Sequence, residues 1–191
     1  MRTGFEYSDC WVDDARMVLL NVLAAKENNA EVRNYCRVEK AHREGGIWHV
    51  TIHDVTTDQR FERKAKALVN AAGPWVKQFF DEGLEQDSPR NIRLIKGSHI
   101  VVPRIHNEPQ AYILQNKDGR IVFVIPYEED FSLVGTTDED FQGNPLDAAI
   151  SQEETDYLVD VVNTYFKTKI TTDNIVHSYS GVRPLLEEKN A

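Results

Sequence analysis

Residues 67–75 read ALVNAAGPW, and this stretch decides the class of fold. Its apolar first half predicts a strand, and the small residues Ala71, Ala72 and Gly73 allow another backbone or a flat ligand to approach closely. Pro74 suits the first turn of a helix, where its missing N–H costs nothing. A strand that ends in small residues before a helix is where α/β proteins bind nucleotides, although many such turns are small for packing reasons alone.

The residues before this stretch predict a helix and a small sheet. Asp13 can cap a helix over 14–26 whose apolar side chains share one face. The pair Gly45-Gly46 is typical of a hairpin turn. The apolar and alternating runs predict strands at 31–43, 47–55 and 60–69, followed by a short helix at 75–80 that Gly83 could end.

The residues after the polar, turn-rich segment 82–91 predict a second sheet. Ser151 and Glu154 form a capping box that opens an amphipathic helix. The strands are predicted at 92–102, 111–115, 120–126, 131–136 and 175–182. We therefore expect a mixed α+β fold, with an antiparallel sheet carrying helices on one face, attached to part of a nucleotide-binding domain. The expected domains are residues 1–85 and 86–191.

Composition narrows the range of partners. Twenty-two Lys and Arg against 31 Asp and Glu give a net charge of −9, which argues against nucleic-acid binding. No apolar run approaches the roughly 18 residues of a membrane-spanning helix. Cys10 and Cys36 lack metal-site spacing, and His49 and His53 lie about 13 Å apart on a strand. No metal site is therefore predicted.

Arg183 is the first candidate for chemistry, because it follows an apolar-rich strand and precedes Pro184. A guanidinium can hold a phosphate or carboxylate with two hydrogen bonds, although a surface or ion-paired arginine is the alternative. Lys96 and His99 are further candidates. Their spacing places them on opposite faces of a strand, so at most one of them faces the site.

Two more candidates end apolar runs. Tyr127 could offer its hydroxyl to a substrate, or it could pack in the core. Thr137, in the sequence GTTD, could line the rim of a substrate pocket, or it could belong to an ordinary turn.

Five segments in this order resemble the middle of the FAD-dependent, membrane-associated glycerol-3-phosphate dehydrogenases, within the D-amino-acid-oxidase-like flavoproteins. Each segment is weakly specific alone, and the resemblance covers residues 4 to about 186. The segments are GFEYSDCWVDDAR at 4–16, ALVNAAGPW at 67–75, LIKGSHIVVP at 94–103, VGTTD at 134–138 and YSGVRPL at 179–185.

The resemblance implies where the ligands bind. Residues 71–73, with Trp75 close behind, would lie along FAD, and the backbone at Val38 would meet the adenine side. Arg183 would hold the phosphate of glycerol 3-phosphate, and Gly97 would let the flavin ring approach.

The resemblance also implies an activity. The intact enzyme would oxidise glycerol 3-phosphate to dihydroxyacetone phosphate and pass the electrons through FAD to a quinone, as a cytoplasmic protein held peripherally at the membrane. A homodimer is one option for its oligomeric state. The glycine-rich GxGxxG turn that holds the FAD pyrophosphate in this family is not found here. We therefore expect an internal fragment, with residue 1 and the tail 187–191 near its ends, that is inactive and binds FAD weakly by itself.

Two other functions stay open. A related flavoprotein could oxidise an amino acid or a 2-hydroxy acid, with Arg183 gripping the carboxylate. A non-catalytic binding domain could use the same fold without flavin, and the missing glycine-rich turn is its best support.

Overall fold

The computed structural model describes residues 4–187, so most of the predicted tail 187–191 lies outside the described residues. The described chain forms two compact units. The first comprises residues 4–70 and Phe79–Gln86, and the second comprises Ala71–Gln78 and residues 87–187. The corner Ala71–Gln78 thus belongs with the second unit. The interpretation of residues 1–85 and 86–191 as a cofactor domain and a substrate domain stays a prediction.

The first unit contains the predicted helix and three-stranded sheet. Helix α1 spans Asp14–Glu27, and the Asp13 side chain caps it by accepting a 2.9 Å hydrogen bond from the backbone N–H of Arg16. The antiparallel strands are β1 (Cys36–Glu44), β2 (Ile47–Asp54) and β3 (Gln59–Ala65). Gly45 and Gly46 have φ of +56° and +83°, which confirms the hairpin turn.

The strands around β2 are shorter than predicted. β1 begins at Cys36 opposite Asp54, and β3 ends at Ala65 opposite Trp48. Residues 31–35 and 66–70 lie beyond these pairs and are not strand. The strand predicted at 60–69 is therefore wrong over 66–69, where Val69 is 84% exposed.

The corner after residue 70 is helical, as predicted, but irregular. A 3₁₀ turn, Gly73–Trp75, continues into the α-helical turn α2 (Val76–Gln78) and a π-helical turn, Phe79–Gly83. Gly73 has φ of +54°, a conformation that suits glycine, and Pro74 occupies the second residue of the first turn. Among residues 4–187, no helix has the length and apolar run needed to cross a bilayer.

The second unit is an antiparallel sheet of six strands. Its strands are β4 (Ile92–Pro103), β5 (Tyr112–Gln115), β6 (Ile121–Tyr127), β7 (Phe131–Gly135), β8 (Glu139–Asp140) and β9 (His177–Leu186). The order is β5-β6-β7-β4, with β8 beside β7 on the same edge of β4 and β9 along its other edge. The last strand runs past the predicted end at 182, so Arg183 lies within β9 opposite Ile95.

One face of this sheet is covered by α3 (Gln152–Tyr165), and the core lies between them. The predicted capping box is confirmed: Ser151 Oγ accepts from the Glu154 N–H at 3.1 Å, and Glu154 Oε2 accepts from the Ser151 N–H at 2.7 Å. The fully buried core side chains include Ile100, Val102, Val122, Val124, Val134, Leu158 and Val162. The mixed α+β fold with a helix on one face of an antiparallel sheet is confirmed.

Candidate functional site

The strand β4 turns alternate side chains to two different environments. Lys96 and Ser98 point toward α3, where they contact the Glu154 carboxylate at 2.8 and 2.9 Å. Gly97 and His99 belong to the opposite face, because side chains alternate along a strand. We call this second face the open face, since α3 covers the other one.

Two glycines oppose each other on the open face. Gly97 on β4 pairs with Gly181 on β9, and we call this pair the glycine floor. A Cβ added at Gly181 would meet nothing within 4 Å, so the surface above it is free for a flat ligand. A Cβ at Gly97 would lie 2.3 Å from Thr136 Oγ1 and 3.6 Å from Arg183 Nη2.

Arg183 stands at one end of the glycine floor. Its side chain is 51% exposed, and Nη2 donates to Asp138 Oδ1 at 3.1 Å. The guanidinium is therefore on the surface and has an ion-pair partner that the sequence argument did not single out. A single bond to one nitrogen leaves the other donors of the guanidinium fork to an anion.

His99 and Tyr179 stand at the other end of the glycine floor. Their rings stack with centroids 5.0 Å apart and planes 9° from parallel. A Cβ at Gly135, which pairs with His99 on its other side, would lie 2.3 Å from the imidazole. The missing side chain at Gly135 thus makes room for the His99 ring.

The small-residue corner lies beside the strand that carries Arg183. The turn Gly73–Trp75 packs next to β9 within the second unit. A Cβ at Gly73 would meet nothing within 4 Å, so this backbone is also open to a ligand. The structure therefore packs the predicted cofactor corner against the strand that carries the predicted anion-binding arginine.

Three candidates lie elsewhere. Lys96 is on the covered face, where its Nζ pairs with Glu154 and donates to the Ala149 carbonyl at 3.0 Å. Thr137 is fully buried, and its hydroxyl donates to Glu154 at 2.6 Å, so it does not line a pocket rim. Tyr127 opposes Phe131, which opposes Pro103 at the far end of β4, about 26 Å along the strand from Arg183.

The remaining cofactor candidate, Val38, lies in β1 of the first unit opposite Ile52. Its place beside the adenine stays a prediction. Within residues 4–187, no group of three His, Cys, Asp or Glu side chains is arranged to hold a metal ion.

Glu154 is a buried carboxylate whose central position the sequence did not reveal. It appears in the sequence only as the third residue of a capping box, a signal of a helix start. Burial raises the pKa of its carboxyl, but the hydrogen bonds from Lys96, Thr137, the Ser151 backbone and Ser98 outweigh burial and hold the pKa below its ordinary value. The group is therefore ionised at neutral pH.

The open face suits a flat aromatic ring. The backbone is bare at Gly181 and at Gly73, and a positive charge stands at the edge of the glycine floor. A planar ring can lie against bare backbone at van der Waals distance, and an anionic group can reach the guanidinium. The residues present thus fit a flavin and a small anionic substrate.

Known proteins match the whole chain. It is 53% identical over 190 residues to the aerobic glycerol-3-phosphate dehydrogenase of Escherichia coli strain K12, a match that covers 100% of this chain and 38% of that protein. It is 45% identical to the D-erythritol 1-phosphate dehydrogenase of Brucella abortus strain 2308, covering 97% of this chain and 37% of that protein. The chain thus spans little more than a third of the length of these relatives.

A solved structure has the same fold. The glycerol-3-phosphate dehydrogenase of Bacillus halodurans, determined in complex with FAD, superimposes with a TM-score of 0.81 at 32% identity, covering 93% of this chain and 36% of that one. The model of the DAO family, the FAD dependent oxidoreductases, matches residues 1–190. This chain belongs to the FAD-dependent oxidoreductase family.

Proposed function

We propose that this chain is part of a longer flavoprotein that oxidises sn-glycerol 3-phosphate to dihydroxyacetone phosphate. The observation that carries the proposal is the open face, where Arg183 borders a floor made of Gly97 and Gly181. The identity to glycerol-3-phosphate dehydrogenases over the whole chain supports it.

Different residues of the open face bind the phosphate and the flavin ring. Arg183 holds the substrate phosphate through the guanidinium donors that Asp138 leaves free. Gly181 and the corner Ala71–Gly73, followed by Trp75, would accept the flat ring of FAD, which when bound would take the hydride from C2 of the substrate. An anchored phosphate fixes C2 relative to that ring, and such positioning can lower a barrier by several kcal/mol.

His99 borders the glycine floor at the end opposite Arg183 and presents an imidazole ring there. The C2 hydroxyl must release its proton as the carbon loses its hydride, and an imidazole is a suitable acceptor near neutral pH. We infer that His99 faces the substrate, in a position held by its stack on Tyr179.

The electron acceptor and the location of the protein belong to the same proposal. We infer that the electrons pass from FAD to a quinone, and that the intact protein binds peripherally to the cytoplasmic face of the membrane, where a lipid-soluble quinone can be reached. A homodimer is an expectation that light scattering would test.

The direct test is an assay of the full-length protein. Purified protein that is yellow with bound FAD should oxidise glycerol 3-phosphate with a soluble quinone analogue as acceptor, and dihydroxyacetone phosphate should accumulate in equal amount. Turnover of glycine or sarcosine without turnover of glycerol 3-phosphate would favour the amino-acid oxidase. A colourless, intact full-length protein would favour a non-catalytic binding domain.

A second phosphorylated polyol deserves comparison, because one relative of 45% identity is named for D-erythritol 1-phosphate. Both substrates would offer Arg183 the same phosphate and would differ in the length of the polyol. Comparing kcat/KM for the two compounds separates these substrates. A preference for the four-carbon compound would keep the role of Arg183 and change the assigned substrate.

A further inference from the structure

Glu154 is buried on the covered side of β4, where its carboxylate contacts Lys96, Ser98 and Thr137. We propose that Glu154 is a positioning residue, which fixes the Arg183 guanidinium for the substrate phosphate by acting through Thr137 and Asp138. The inference rests on the proposed function of the open face.

One carboxylate joins three segments of the chain. Glu154 is 3% exposed; its Oε1 accepts from Ser98 Oγ at 2.9 Å and from Thr137 Oγ1 at 2.6 Å. Its Oε2 accepts from the Ser151 N–H at 2.7 Å and pairs with Lys96 Nζ at 2.8 Å. The carboxylate thus connects β4, the start of α3 and the segment that follows β7.

The segment after β7 carries the connection to the open face. Thr137 Oγ1 accepts from the Ser98 N–H at 2.9 Å, and the Thr137 N–H donates to the Ser98 carbonyl at 3.3 Å. Its neighbours face the site: Thr136 Oγ1 lies beside the glycine floor, and Asp138 accepts from Arg183. Because Thr137 is fixed at its backbone and at its hydroxyl, the residues on either side of it are fixed as well.

A second connection reaches β9 directly. The hydroxyls of Ser98 and Ser180 are 2.8 Å apart, and Ser98 also donates to Glu154. Ser180 lies three residues before Arg183 on the same strand. The strand that carries the guanidinium is thus joined to the carboxylate by a side-chain link in addition to its backbone ladder.

The stability of the fold alone does not explain why a charged Glu154 is buried in α3. The other buried residues of α3 are apolar: Leu158, Val159, Val161 and Val162. A buried ion pair often contributes no more stability than apolar side chains of the same size, because both charges must leave water. The charged group also lies where the covered face supports the open one, which suits a role in fixing the arginine.

The test compares four variants of the full-length, FAD-loaded protein. Thr137→Val removes the hydroxyl and keeps the shape, and Thr137→Ser keeps the hydroxyl. Glu154→Gln keeps the size of the side chain and replaces its carboxylate with a neutral amide. Leu158→Ala weakens the same helix one turn away and leaves the carboxylate in place. KM and kcat for glycerol 3-phosphate, melting temperature and hydrogen exchange of the backbone at 136–140 are measured for each variant.

We expect Thr137→Val and Glu154→Gln to raise KM about tenfold with a smaller change in kcat, as for the loss of one hydrogen bond to a charged group. Their exchange at 136–140 should accelerate. Thr137→Ser should restore KM, and Leu158→Ala should lower the melting temperature while leaving KM and the exchange at 136–140 unchanged.

The outcomes separate the two proposals. If the wild type oxidises glycerol 3-phosphate and Thr137→Val and Glu154→Gln bind it normally, the positioning role is wrong. If Leu158→Ala raises KM as much as Thr137→Val and Glu154→Gln do, Glu154 acts only on stability, and the positioning role is wrong as well. If the wild type does not use glycerol 3-phosphate, the proposed function fails, and the exchange at 136–140 still decides whether the carboxylate controls the segment that carries Asp138.

Discussion

The two faces of β4 differ in what their side chains do. On the covered face, Lys96 and Ser98 are tied to a carboxylate, and Ile100 and Val102 are fully buried in the core. On the open face, Gly97 has no side chain and lies under Thr136, His99 stacks on the partly exposed Tyr179, and Ile95 and Val101 are buried. β4 therefore packs against the core with one face and carries the candidate site on the other. Because the core holds the strand in place, the geometry of the candidate site is fixed.

Arg183 should show the largest effect on the open face. If it holds the phosphate, Arg183→Gln in the full-length protein should lower kcat/KM for glycerol 3-phosphate by about 100-fold or more, because a charge-assisted, bidentate contact is lost. Steady-state kinetics measures this change. Arg93→Gln is the matched control, since Arg93 forms an equally exposed ion pair with Asp140 on the same sheet. A comparable loss in Arg93→Gln would mean that surface charge in general, and not Arg183, attracts the substrate.

The glycine floor allows a comparison of two alanine substitutions. Gly97→Ala forces Thr136 to move and should destabilise the chain by about 1–3 kcal/mol, as overpacking does. Gly181→Ala meets open space and should leave the melting temperature of the chain unchanged or slightly higher, because alanine in a strand costs less entropy than glycine. In the full-length protein, Gly181→Ala should nevertheless weaken ligand binding. Normal ligand affinity in a stable Gly181→Ala protein would show that no ligand lies on the floor.

The covered face should respond to acid through Glu154. Because the pKa of its carboxyl in the folded chain lies below the ordinary value of 4.5, the unfolded chain binds protons first as the pH falls. The contribution of the ionised Glu154 carboxylate to folding stability is therefore complete above pH 4.5. It is lost as the pH falls toward the pKa of this group in the folded chain. Urea unfolding of the chain between pH 3 and 6 measures it, and Glu154→Gln should flatten this part of the profile. An unchanged slope in the variant would mean that other carboxylates cause the acid sensitivity.

A smaller pH effect is expected from the core around His106. Burial lowers the pKa of its imidazole, which stacks on Phe166 and meets Tyr112 edge to face. The unfolded chain takes up this proton near the ordinary value of 6.5, so folding stability should fall as the pH drops below it. His106→Phe should remove that part of the pH dependence in urea unfolding, and a variant with the wild-type profile between pH 5 and 6.5 would contradict it.

The sequence predicted local features well. The alternation of apolar residues located β4 to β7, and the Ser151–Glu154 pair located the start of α3, because both signals depend on neighbours in the chain. The family resemblance singled out Arg183 by its motif, and the role of Arg183 stays a prediction. Lys96 and His99 are three residues apart, and this spacing correctly predicted that they lie on opposite faces of their strand. It could not indicate which of the two faces is open.

The errors concern contacts between distant segments. Tyr127 was grouped with Arg183 because both follow apolar runs, whereas strand register places it at the far end of the sheet. Thr137 looked like a pocket residue until its bond to Glu154, 17 positions away, defined its direction. β3 ends at Ala65, opposite Trp48 near the start of its partner strand, a limit that apolar character alone does not indicate.

The most direct measurement is the affinity of dihydroxyacetone phosphate for the oxidised, FAD-loaded full-length protein, followed by the change in flavin absorbance. This compound carries the phosphate and does not reduce flavin, so its dissociation constant reports binding alone. Arg183→Gln should raise that constant by about 100-fold, equivalent to nearly 3 kcal/mol, while the weak binding of unphosphorylated dihydroxyacetone stays the same. An Arg183→Gln protein that binds dihydroxyacetone phosphate as tightly as the wild type would contradict the assignment of the open face as the phosphate site.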